Sequence, residues 1–116
     1  MLKKIVFLKR TPGMSFDAFV DYYESRHAPL GLQAMPLARK YTRRYIRAEA
    51  SSDGTQNTPP FDVITEVWFD DAEAYAQTIA GISEEQAAEI DDDEKKLFDP
   101  AFTWFVVVEE RESAIP

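Results

Sequence analysis

The run Phe-Asp-Val-Ile-Thr-Glu-Val-Trp-Phe at residues 61–69 constrains the fold more than any other stretch of this chain. It is β-branched and aromatic, so it reads as a strand, and its apolar side chains fall at odd and even positions alike. Residues 2–10, Leu-Lys-Lys-Ile-Val-Phe-Leu-Lys-Arg, also carry apolar side chains on both faces and stop at Thr11-Pro12-Gly13, which implies a central strand. Strands of this kind need neighbours. Residues 39–48 supply one, with Tyr41 and Tyr45 on one face, and residues 102–109, after Pro100, supply another.

Between the strands lie three helical segments. Ser15 is a candidate N-cap, with Asp17 in the first turn, for a helix to about Arg26 whose apolar stripe runs Phe16, Phe19, Val20, Tyr23. Counting on by four reaches His27, so the imidazole points inward. Pro29 biases Ala28 away from helical geometry, which puts His27 at the helix end, where the last carbonyls favour a cationic ring. Residues 30–38 are a short irregular or helical link, and residues 49–60, rich in Ser, Asp, Gly, Asn, Thr and Pro, a mobile loop. Asp70 or Asp71 caps a helix to about Ala80. Ser83-Glu84-Glu85-Gln86 has capping-box spacing and opens a helix to about Phe98, whose charge run over residues 84–96 reads as a solvated face.

The order β-α-β-β-α-α-β is the split βαβ arrangement of α+β ferredoxin-like folds: one domain over residues 1–116, a four-stranded antiparallel sheet and helices on one face. One helical layer leaves the other sheet face uncovered, and an apolar patch of that size implies a homodimer with sheets face to face.

The chain has 116 residues, enough to bury a core without staples, and no cysteine, which removes disulfides, thiolate metal sites and cysteine nucleophiles. Its single histidine rules out a histidine-rich metal site within one chain. Residues 1–50 hold ten Lys/Arg against four Asp/Glu, and the remainder three against seventeen. The basic residues Lys40, Arg43, Arg44 and Arg47 fall in one strand and read as edge protection, so no nucleic-acid partner is expected. The apolar opening Ile5 to Leu8 is too short for a signal core or a membrane span. A cytoplasmic protein without a membrane partner is the expectation. No GxGxxG, P-loop, HExxH or nucleophile elbow occurs.

Four segments, in order over nearly the whole chain, resemble the EthD domain family: Phe-Leu-Lys-Arg followed by Pro-Gly; Tyr-Tyr-x-x-Arg-His-Ala-Pro-Leu at residues 22–30; the Tyr41 strand; and Asp62-x-x-x-Glu66-x-Trp68-Phe69. The resemblance implies the dimeric α/β-barrel superfamily, in which two ferredoxin-like protomers join sheets and each keeps a ligand pocket between its sheet and helices. That superfamily includes polyketide cyclases, muconolactone isomerases, cofactor-free monooxygenases and haem-degrading enzymes. Fold alone does not fix the reaction.

In that architecture His27 stands over the strand bearing Ile64, Glu66 and Trp68, which share a face by the period of two. Val63, Val67 and Phe69 then form an apolar face suited to a dimer core. A neutral imidazole near a carboxylate moves protons beside a carbonyl, so His27 and Glu66 are the expected catalytic pair. Tyr23 and Tyr41 (and Tyr45) offer hydrogen bonds to an enolate or phenol oxygen, and Ile64, Trp68 and Trp104 apolar walls for an aromatic ligand. Alternatively, Glu66 pairs with Arg43 or Arg44 across strands. The leading expectation is a cofactor-independent lyase or isomerase acting on a small apolar carbonyl, aromatic or polyketide-like compound. A non-catalytic carrier of a hydrophobic metabolite is the alternative, and a cofactor-free or haem-dependent monooxygenase, with His27 as axial ligand, a third.

Overall fold

The computed structural model describes residues 1–48, 51–55 and 58–116. Four strands, β1 (Leu2–Leu8), β2 (Lys40–Tyr45), β3 (Val63–Phe69) and β4 (Trp104–Val107), pair in the order β2-β3-β1-β4 with every pairing antiparallel. The two strands that are apolar on both faces, β1 and β3, are the central ones. This is the ferredoxin-like α+β architecture. The first strand is shorter than expected; beyond it, Arg10 makes an isolated bridge to Phe98.

Local chemistry sets the helix boundaries. Ser15 Oγ accepts from the Ala18 N–H at 3.1 Å and opens α1 (Phe16–Tyr22). Asp71 caps α3 (Ala72–Ala80), and Ser83 with Gln86 forms a complete capping box at the head of α4 (Glu84–Leu97). Acidic Glu84 and Glu85 in the first turn of α4 and Lys95 and Lys96 in its last complement the helix dipole. Among the described residues no helix is long and apolar enough to cross a membrane. The loop expected over residues 49–60 falls partly outside the described residues; within it, Asp53 Oδ1 accepts from the backbone N–H and the hydroxyl of Thr55.

One boundary departs from expectation. The chain does not leave helical geometry at Ala28, whose φ is −60° and ψ −44°. Instead α1 passes through a π-helical turn (Tyr23–His27) directly into α2 (Ala28–Ala34). The Ala28 N–H donates to the Tyr23 carbonyl, five residues back. In a regular α-helix the Pro29 ring would collide with the carbonyl of Ser25; the widened turn makes room for it at the start of α2. His27 is therefore inside a longer helix, away from any carboxyl-terminal carbonyls.

The strand register also settles the faces. Val63, Thr65, Val67 and Phe69 are all buried beneath the helices. Ile64, Glu66 and Trp68 point to the opposite, outer face, beside Phe7, Ile5 and Lys3 of β1. The expected assignment is thus reversed. Period two fixes which residues travel together, and the more apolar set belongs under the helices, against the core. The core clusters Leu8, Phe19, Tyr23, Ala28, Val63, Leu97 and Phe98 between sheet and helices.

Candidate active site

The π-turn keeps Tyr23 and His27 on one inward face: Tyr23 is 1 % exposed and His27 7 %. The imidazole stands edge-on to two rings, with centroids 5.2 Å from Tyr23 and 5.2 Å from Phe98. Phe98 is itself anchored, because the extension of β1 holds the end of α4 through Thr11 N–H to Leu97 O and Asp99 N–H to Lys9 O.

The last turns of α4 bring in the group that sequence reasoning missed. Asp93 is 6 % exposed, its Oδ2 lies 2.9 Å from His27 Nδ1, and its Oδ1 accepts from the Tyr22 hydroxyl at 2.5 Å. A carboxylate oxygen facing Nδ1 acts as acceptor, so the ring proton sits on Nδ1 and the lone pair on Nε2. Nε2 has no hydrogen-bond partner among the described residues. Burial pushes the imidazole below its ordinary value, against the upward pull of the Asp93 hydrogen bond and charge. The ring is accordingly neutral at pH 7. The reading of residues 84–96 as a solvated face fails at this point, and a signal for it existed: Asp93 lies three residues after Ile90 and four before Leu97, continuing that helix's apolar stripe as His27 continues that of α1.

His27 lines a cavity of about 690 Å³ between helices and sheet, walled by Val6, Leu8, Val67, Ile90, Phe98 and Phe105, with Tyr23, Tyr41, Thr65 and Glu94 among its polar lining residues. The Tyr23 hydroxyl is 2.5 Å from Thr65 Oγ1, and burial pushes the Tyr23 and Tyr41 phenols upward, so both stay protonated and able to donate. Tyr41 is braced from behind. Arg43 lies over its ring at 4.7 Å and forks onto Glu24 of the π-turn at 2.9 and 2.7 Å, and the Tyr45 hydroxyl donates to the same carboxylate. The Arg43 hydrogen bonds hold Glu24 below the usual carboxylate range. Among the described residues, no group of three His, Asp or Glu side chains is placed to hold a metal ion.

Of the residues expected at the site, His27, Tyr23 and Tyr41 come together here; Ile64, Glu66, Trp68 and Trp104 do not. Glu66 faces the outer side, paired with Arg44 Nη1 at 2.7 Å, one of the two alternatives the sequence left for it. The Trp68 indole N–H, short of hydrogen-bonding geometry, and the Arg44 guanidinium draw that carboxyl below its usual range. Trp68 itself lies between the ammonium groups of Lys3 and Lys40, at 4.0 and 4.3 Å. Trp104 is 57 % exposed on the same outer face. The carboxylate partner of His27 is Asp93, from a helix, in place of Glu66, from the sheet.

The EthD domain model matches residues 11–101 of the chain. Among solved structures, an ethyl tert-butyl ether D (EthD) family protein of Bacillus halodurans C-125 is 25% identical over 96% of this chain and 100% of its own, with a TM-score of 0.65. An EthD-like protein of Ralstonia eutropha JMP134 is 24% identical, with a TM-score of 0.65 over 93% of this chain and 89% of its own. A dimeric protein of unknown function and ferredoxin-like fold from Bacteroides fragilis NCTC 9343 is 14% identical, with a TM-score of 0.57 over 94% of this chain and 95% of its own. The last two likenesses speak for the fold alone. No protein of curated function matches by sequence.

Proposed function

The chain belongs to the EthD domain family, and from that membership we propose that it is a cofactor-independent lyase or isomerase that moves a proton on a small, largely apolar carbonyl, phenolic or polyketide-like compound. The observation that carries this reading is the His27–Asp93 pair, 2.9 Å apart, with His27 on the wall of a largely apolar cavity. Nε2 takes a proton from the carbon beside a carbonyl, and the electron pair moves onto the oxygen as an enolate. The proton then goes to a leaving hydroxyl, which is dehydration, or to another carbon, which is isomerisation; attack of the enolate carbon on a second carbonyl is cyclisation. No electrons are gained or lost overall. Asp93 steadies the imidazolium formed on the way, and the Tyr23 and Tyr41 phenols offer hydrogen bonds to the enolate oxygen. General base catalysis of this kind contributes roughly 10²- to 10⁴-fold.

The reading includes a homodimer joined through the outer sheet faces. The ring cluster of Phe7, Phe61 and Trp104 on that face supports it, as does the dimeric Bacteroides protein of like fold.

The test begins with native mass spectrometry of the protein purified from cells, followed by denaturation and identification of what is released. An aromatic or polyketide-like compound is expected, and it supplies the scaffold for a turnover assay in which His27→Ala loses about 10²-fold or more with the fold retained. Turnover by His27→Ala equal to the wild type removes His27 as the base. Saturable binding with the compound recovered unchanged replaces the enzyme with a carrier.

A further inference from the structure

We propose that Glu94 is the second proton-transfer group of this cavity, delivering a proton to the carbonyl oxygen of an uncharged substrate while His27 removes the neighbouring C–H proton. The proposal rests on the reading of His27 as the base and deepens it by assigning a distinct acid and a substrate charge.

The helix supplies the geometry. Asp93 and Glu94 are consecutive on α4 and so point about 100° apart around its axis; the first is spent on His27 at 2.9 Å, and the second lines the cavity. Glu94 has no ion pair and no side-chain hydrogen bond among the described residues, and its apolar neighbours along the cavity wall include Ile90 and Phe98. Lys95, the only cationic side chain of the lining among the described residues, is paired with Asp91 at 3.0 Å and its side chain is 72 % exposed, so it leaves Glu94 unneutralised. Glu94 is part-buried, and the partial loss of hydration there disfavours its ionised form.

The titratable groups around Glu94 come from three elements. From α4 there are Asp91, Asp93 and Lys95; from the π-turn, His27 and Tyr23; from β2, Tyr41, whose phenol is pushed up in part by the charge of Glu94. Strands β1 and β3 bring Val6, Leu8, Thr65 and Val67, none of which titrates in this range. Burial, then the charges of Asp91 and Asp93, pushes Glu94 above the usual carboxylate range, while burial pushes His27 down. Both shifts favour the uncharged forms, the carboxyl keeping its proton and the imidazole its lone pair, which is the starting state for transfer to and from one substrate. A substrate carboxylate would meet Glu94 and Asp91 where it needs a cation, hence an uncharged carbonyl compound.

The step balances without an oxidant or reductant. The α C–H bond breaks and an N–H bond forms at His27 Nε2; a C=C bond forms as the carbonyl π pair moves to oxygen; the O–H bond of Glu94 breaks and an enol O–H bond forms. Imidazolium and carboxylate remain and reset by exchange with water. The enol is the first product shared by isomerisation, dehydration and cyclisation.

The probe is 2-tetralone, a neutral aromatic ketone, in deuterium oxide, with loss of the C1 proton signal followed by NMR. Wild-type protein is expected to accelerate exchange over buffer, His27→Ala to abolish it, and Glu94→Gln to slow it at least tenfold and to remove the fall in rate on the alkaline side of the pH profile. Glu94→Asp, which keeps a carboxyl, is expected to retain part of the rate, with melting curves showing that each variant folds. If Glu94→Gln exchanges at the wild-type rate with the wild-type pH profile while His27→Ala is dead, the acid role is overturned and the base stands. If His27→Ala exchanges like the wild type, or the wild type does not exceed buffer, both fall.

Discussion

At His27 two influences act in opposite directions, and a single substitution separates them. Burial keeps the ring neutral; Asp93 pulls its pKa upward and also holds the ring proton on Nδ1. Asp93→Asn leaves the burial but offers an amide that donates to Nδ1, which moves the ring proton to Nε2 and turns a base into a donor. Tyr22 still finds an acceptor, so the fold should hold while turnover falls by about 10²- to 10⁴-fold. A variant as active as the wild type would mean that the tautomer does not matter. The same group sets a pH dependence. The folded ring resists protonation and the unfolded ring does not, so between the depressed folded pKa and the ordinary 6.5 the unfolded state binds more protons and stability falls as pH drops through that window, levelling off above it. His27→Gln should remove that slope. Denaturant titrations of both proteins between roughly pH 5 and 7 give the difference, and parallel curves would show that the imidazole is not held neutral. That His27 points inward was legible from its place on an apolar stripe. Its partner was not, because a buried Asp inside a run of Asp, Glu and Lys looks like surface until the helix is turned to put Ile90 and Leu97 underneath.

At the scale of elements, caps were readable because they are local: Ser15, Asp71 and the Ser83–Gln86 box each need only three or four residues of chain. The π-turn was not, since one extra residue in a turn leaves the apolar spacing of Tyr23 and His27 nearly intact and the proline after it signals an ending. Helix α2, which the turn makes possible, brings Gly31 against β2: a Cβ at Gly31 would stand 3.0 Å from the Tyr41 hydroxyl. Exchanging a mid-helix Gly for Ala is ordinarily worth about 0.5–1 kcal/mol. Here the methyl presses on a ring braced by Arg43, so Gly31→Ala should give none of that gain. In a Tyr41→Phe background the obstructing oxygen is absent and the gain should return. Thermal melts of the four proteins of this double-mutant cycle measure the coupling, and additive values would show that the helix and the tyrosine do not touch in solution.

On the scale of the whole molecule, the sequence reading put the wrong sheet face under the helices, assigning Ile64, Glu66 and Trp68 to the side that Val63, Val67 and Phe69 occupy. Strand period, strand order and the two central strands follow from side-chain pattern, yet a strand apolar on both faces suits either orientation, and the choice rests on the helices' combined demand for the driest surface. Val63, Val67 and Phe69 meet it better than a set containing Glu66. The outer face left over is divided: toward β2 it carries Lys40, Arg44 and Glu66, and toward β4 the rings of Phe7, Phe61 and Trp104, with Phe61 and Trp104 4.8 Å apart. Trp104, more than half exposed, lies at the apolar end. A tryptophan at the centre of a protein interface commonly contributes 2 kcal/mol or more, roughly a thirtyfold or greater change in dissociation constant. Trp104→Asp also places a charge where the partner would bring its own rings. If the sheets join as proposed, light scattering should give the mass of two wild-type chains at micromolar concentration and of one chain for Trp104→Asp. The cavity lies on the far side of the sheet, so the His27 titration should remain unshifted. A wild-type protein that scatters as a single chain would end the face-to-face dimer, and a variant that remains dimeric would move the interface away from this aromatic end.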